Sequence, residues 1–174
     1  SGLPFKSIME LPYDNFRIYP ASGKNLYLLG KNPANNLSEL YLLEPGRAEG
    51  EKASISKLFD IDKEITAVAG NGQETYAAMR NKVVKISDKK LTPFFTLGDE
   101  AVKDLAFSSQ AGLFYATDSS VGFASVKNKS LNVFLQAPRS RIRLRNNSLY
   151  VYLEDANAVI KISRINLFDQ APSR

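Results

Sequence analysis

Short runs in which apolar and polar residues alternate at period two recur along this chain in a fixed order, and that recurrence limits what it can fold into. The runs cover residues 24–29, 39–43, 65–69, 75–79, 82–86, 113–117, 131–135, 141–144, 148–153 and 158–162, lengths that suit strands rather than helices. Between them stand Gly70-Asn71-Gly72, Asn81, Ser119-Ser120, Asn128 and Asn146-Asn147, residues that accept positive φ or close a turn with their own side chains. A Tyr marks the second strand of each repeat, at Tyr27, Tyr76, Tyr115 and Tyr150, and a Phe is expected in each last strand, at Phe59, Phe95, Phe134 and Phe168. The Tyr-to-Phe separations are 32, 19, 19 and 18 residues, the first lengthened by polar insertions at 31–38 and 44–54. Successive Tyr markers lie 49, 39 and 35 residues apart, near the ~40-residue period of four-stranded propeller blades.

The expected fold is therefore all-β: a β-propeller, or a fragment of one, made of about four antiparallel four-stranded blades. One small twisted sheet cannot bury both its faces, and stacked neighbours supply the core. A two-sheet β-sandwich is the alternative. The expected organisation is a tail or extra outer strand over 1–12, a repeat domain over 13–168 and a tail over 169–174. The repeats fall at about 13–62, 63–98, 99–137 and 138–168. Residues 5–11 (FKSIMEL) resemble an outer strand with no blade before it. That strand closes a small ring against the last blade, or the chain is part of a larger propeller, or several chains share a ring. An open arc would expose an apolar terminal face, which predicts self-association or a missing partner domain. Ile55, Leu58 and Phe59 also fit one face of a short helix, but the repeat assigns them to a strand.

Composition narrows the chemistry. The chain has 174 residues, enough for one domain with a sizeable core, and contains no His, Cys or Trp. It cannot supply a Ser-His-Asp triad, a Cys nucleophile, a thiolate or imidazole zinc site or a disulfide. No apolar run approaches the roughly 18 residues that span a bilayer. The absence of Cys suits an oxidising compartment, so a periplasmic or cell-envelope location is expected, with the cytoplasm as the alternative. Ser1-Gly2 reads as the scar of a cleaved tag.

Charge is uneven. Residues 1–138 hold 16 basic and 15 acidic side chains, whereas 139–174 hold 7 and 3. Arg139, Arg141, Arg143 and Arg145 alternate with Ser140, Ile142 and Leu144. In a strand all four guanidinium groups would leave one face. Four planar donors side by side suit carboxylate, phosphate or sulfate, which makes this row the candidate site for an anion or an acidic partner. The competing structural reading is an edge or terminal strand guarded by charge, some of its arginines paired to Glu154, Asp155 or another chain. Nucleic acid is disfavoured, because the net charge is only +5 and the aromatics sit mostly at repeat markers.

Residues 149–162 (LYVYLEDANAVIKI) look like the strand-turn-strand segment of NHL-type and related six-bladed propellers, and residues 112–118 (GLFYATD) are similar to its first half. Regucalcin-like lactonases share that type of fold and hold a divalent metal with Glu, Asn and Asp from different blades. The resemblance thus implies Asp104, Asp118, Asp155 and Asn157 as a metal set, while Asp155 and Asn157 also read simply as turn residues. Two Ser-x-x-Lys matches, at Ser54 and Ser87, lack their companion motifs. Asp60-Ile-Asp62 lacks the Gly and terminal Glu of a calcium loop. No catalytic residue, metal or cofactor is assigned. The expected function is a non-catalytic scaffold that binds another macromolecule in an extracytoplasmic assembly. The alternatives are a metal-dependent lactonase-like hydrolase and a polysaccharide- or nucleic-acid-binding domain.

Overall fold

The computed structural model describes residues 16–21, 23–46, 53–87, 90–165 and 168. They belong to two compact units, one ending at Lys63 and one starting at Glu64. The expected strand at 5–11 and both tails lie outside the described residues.

The first unit is a meander of β1 (Phe16–Pro20), β2 (Leu26–Lys31), β3 (Ser38–Glu44) and β4 (Ser54–Ile61), each antiparallel to the next. Alternation sends Tyr27, Leu29, Leu40 and Leu42 to one face, where all four are buried. Tyr27 lies opposite Leu42. Residues 54–61 form a strand, as the repeat requires, and Leu58 is an extra residue in it: Tyr41 pairs with Lys57 and Leu40 with Phe59.

The second unit contains three sheets: β5 (Ala67–Gly70) to β6 (Thr75–Met79), β7 (Lys82–Ser87) and β8 (Lys90–Thr96); β9 (Asp104–Ser108) to β10 (Gly112–Ala116), β11 (Ser120–Ala124) and β12 (Leu131–Gln136); and β13 (Ser140–Arg145), β14 (Ser148–Leu153) and β15 (Ala158–Ser163). Within each sheet, strands follow chain order. The two-residue turn Asn146-Asn147 has both φ values positive, at 48° and 55°, the geometry that lets a tight hairpin follow the strand twist. The outermost strands of the three four-stranded sheets bulge at matching places, at Leu58, Phe94 and Phe134. This shared defect is independent support for a structural repeat.

Stacking produces two aromatic cores. Ala67, Tyr76, Ala78 and Val83 meet Leu105, Leu113 and Tyr115 between the first two sheets of this unit. Phe114, Ala116, Val121 and Phe123 meet Ile142, Leu149 and Val151 between the second and third. Four separate meanders replace the alternative of a two-sheet sandwich, and the class is an all-β, propeller-type repeat.

Three details correct the sequence reading. Tyr76 and Tyr115 occupy second strands but point into one shared core from opposite sides, so they are not equivalent. The counterpart of Tyr76 is Phe114: each stands two residues before the Ala whose carbonyl receives the N–H entering the first strand, Ala78 for Thr66 and Ala116 for Lys103. A one-residue slip along a strand reverses the face. Phe168 follows β15 rather than lying in a strand, and it packs on Phe114, Phe123 and Phe134. The last sheet has three strands among the described residues, not four.

Candidate functional site

β13 is an edge strand, and its burial alternates: Ser140 and Ile142 are buried, while Arg141, Arg143 and Arg145 are exposed. Arg139 precedes the strand in a turn with φ of 46°, so the row holds three strand arginines and one turn arginine. Arg139 pairs with Asp155, its Nε donating over 3.2 Å. Arg141 Nε donates to Glu154 Oε1, also over 3.2 Å. Both acids come from the β14–β15 turn, which the hairpin register brings beside the start of β13.

Arg143 has a different role. Its Nη1 donates to Asp104 Oδ2 over 2.8 Å and to the Ile142 carbonyl over 2.6 Å. The same Asp104 oxygen accepts the Ile142 N–H at 3.0 Å. Asp104, only 3% exposed, begins β9, so its carboxylate clasps one sheet to the next. Arg145 has no carboxylate partner among the described residues. Register places Arg141 opposite Tyr152 and then Val159, and Arg143 opposite Tyr150 and then Lys161. The Lys161 ammonium lies 5.9 Å from the Tyr150 ring centroid.

The metal set implied by resemblance does not assemble. Asp104 is held by β13, Asp118 pairs with Lys103 at 3.2 Å, Asp155 pairs with Arg139, and Asn157 accepts the Tyr152 hydroxyl at 3.1 Å. Among the described residues no three Asp or Glu side chains converge in a way that could hold a metal ion.

One polar cluster escaped the sequence reading. Glu39 in β3 is 2% exposed and accepts from Lys57 Nζ at 2.7 Å, Asn32 Nδ2 at 2.9 Å and the Tyr41 hydroxyl at 2.5 Å. Lys57 also reaches Asp60 at 2.7 Å. The bonds to Asp60 and Glu39 hold the Lys57 ammonium above its ordinary pKa. Burial, then the bond to Glu39, pushes the Tyr41 hydroxyl well up. The sequence signal was a lone acid between Ser38 and Leu40 near the start of a strand, which alternation alone reads as solvent-facing. Elsewhere, burial with Glu74 nearby pushes Tyr76 up to about 12. Hydrogen bonds from Ser119 and Thr117 hold Glu100 below the usual carboxylate range.

The stacked meanders, with their recurring bulges and a charged edge sheet, define a propeller-type repeat protein. No protein-family model and no curated protein matches the sequence. Among solved structures, the chain is similar to the extracellular domain of a proposed one-component system from B. thetaiotaomicron, with a TM-score of 0.51 and 12% identity over 81% of this chain and 20% of that one. It is also similar to PorZ, described as an essential bacterial surface component of the type-IX secretion system of Porphyromonas gingivalis, with a TM-score of 0.45 and 13% identity over 82% of this chain and 24% of that one. The chain therefore spans about a fifth to a quarter of the length of these structures. At 12% identity the likeness to the first is one of fold.

Proposed function

We propose that this chain is a non-catalytic interaction module, a rigid propeller-type scaffold that binds another macromolecule within a larger extracytoplasmic assembly. The observation that carries this reading is where the ionisable groups go: Glu39 and Asp104 are buried and committed to holding the fold, Asp118 and Asp155 are taken up in exposed ion pairs, and the outer side of β13–β15 keeps its cations and Tyr152 exposed. Propeller folds host many activities, so function is argued from the site. The absence of Cys and the likeness in fold to an extracellular domain support the compartment. The resemblance of residues 149–162 to an NHL-type strand pair fits a scaffold of the same kind. The test is fractionation of source cells followed by chemical cross-linking of the full-length protein. Recovery in the envelope fraction within a larger cross-linked species is expected. Recovery as a lone cytoplasmic species, or metal-dependent hydrolysis of a lactone panel by the purified chain, overturns the proposal.

A further inference from the structure

We propose that the outer face of the β13–β15 sheet is a docking surface for an acidic protein partner, an inference that rests on the interaction-module reading and names the partner's chemistry. Cross-strand register aligns its side chains in rows. Arg141, Tyr152 and Val159 form one row, and Tyr150 stands next to Lys161 in the adjacent one. The opposite face of the same sheet is spent on the core through Ile142, Leu149 and Val151.

The two preceding sheets of the unit show what this fold does when a face is meant to receive another sheet. Ala67, Tyr76 and Ala78 are small or aromatic and buried against the next sheet, the cation beside them, Lys85 across from Tyr76, is held at 2.6 Å by Glu74 just before β6, and Phe114 and Ala116 repeat the apolar pattern one sheet later. On β13–β15 the corresponding side carries cations, and Val159 is 59% and Tyr152 39% exposed. A dry apolar sheet laid on this face would strip water from cations and return no compensating charge. The occupant must supply carboxylates. Arg145 and Lys161 have no carboxylate partner among the described residues, and Arg141 has only an exposed one, so the face presents cations for an acidic surface to meet.

The strip between the cations decides the class of partner. Tyr150, Tyr152 and Val159 offer apolar area that a simple polyanion does not need, and Tyr and Arg beside an apolar centre are the residues that concentrate binding energy between proteins. A second copy of this chain would bring the same cations against these.

The probe is a random copolymer of glutamate and tyrosine, compared with dextran sulfate and a single-stranded oligothymidylate, each titrated against the purified chain at low salt and at about 300 mM salt. Arg145→Ser/Lys161→Ser and Tyr152→Ser/Val159→Ser should each weaken copolymer binding by about tenfold with the thermal midpoint unchanged, and salt should weaken wild type more than the charge variant. If the Tyr152/Val159 variant loses its cooperative melt, the charge variant, altered only at exposed positions, decides. Failure of the copolymer to bind, or binding untouched by the variants, overturns the proposal. Tighter binding of the two polyanions, insensitive to the Tyr152/Val159 change, overturns it in favour of a polyanion site. If either result comes while the full-length protein is still cross-linked into its envelope assembly, this inference falls and the interaction-module reading stands.

Discussion

Tyr115 and Gly122 face each other across β10 and β11, and the ring occupies the space a side chain would need. A Cβ on Gly122 would lie well under 3.0 Å from Tyr115 Cζ and from its hydroxyl oxygen. The ring also packs on Phe95, 5.3 Å between centroids, so it cannot yield without opening the core between the sheets. Gly122→Ala should therefore lower stability by about 1–3 kcal/mol, the usual cost of overpacking. Gly98→Ala, where a Cβ meets nothing within 4 Å, should stay within about 0.5 kcal/mol. Urea unfolding of both variants checks the pair: equal midpoints would show that Tyr115 can move aside. The sequence identifies Tyr115 as important, but the glycine that makes room for it carries no periodic signal.

Among the elements, the sheet junctions divide their labour between apolar stacking and a few directed polar contacts. At the junction of β9–β12 with β13–β15, Asp104 receives both the Ile142 N–H and the Arg143 guanidinium. At the preceding junction a hydroxyl serves: Thr66 Oγ1 donates to the Val102 carbonyl at 2.7 Å. Asp104→Ala would leave a backbone N–H on an edge strand without its acceptor, at a cost of about 1–3 kcal/mol. Arg141→Ser removes only an exposed pair and should change stability by under about 1 kcal/mol. Thermal unfolding of the two variants separates the roles; equal losses would mean that the clasp contributes no more than a surface ion pair. The arginine row is thus two things at once. Arg143 braces the junction, whereas Arg145, with no acid in reach among the described residues, belongs to the open face.

At the level of the whole molecule, the unit that starts at Glu64 contains both of its aromatic cores within itself. A chain of residues 64–174 should accordingly fold alone, with a β-type far-ultraviolet spectrum, dispersed amide resonances and a cooperative melt. A spectrum of an unfolded chain would show that the two cores are insufficient. The period-two runs, the turn residues and the ~40-residue recurrence determined the fold class by themselves, because alternation and turn chemistry are local: a strand's two faces and a tight turn such as Asn146-Asn147 follow from a few adjacent residues. The same local pattern marked the row from Arg139 to Arg145. It could not say that Tyr76 and Tyr115 share one core, that Phe168 leaves the strand pattern to pack on Phe114, or that Arg143 reaches Asp104 from 39 residues away while Arg145 is left over. Those outcomes depend on how one sheet lies against the next. A slip of a single residue reverses a face without disturbing the composition of the repeat, so only the tertiary structure decides them.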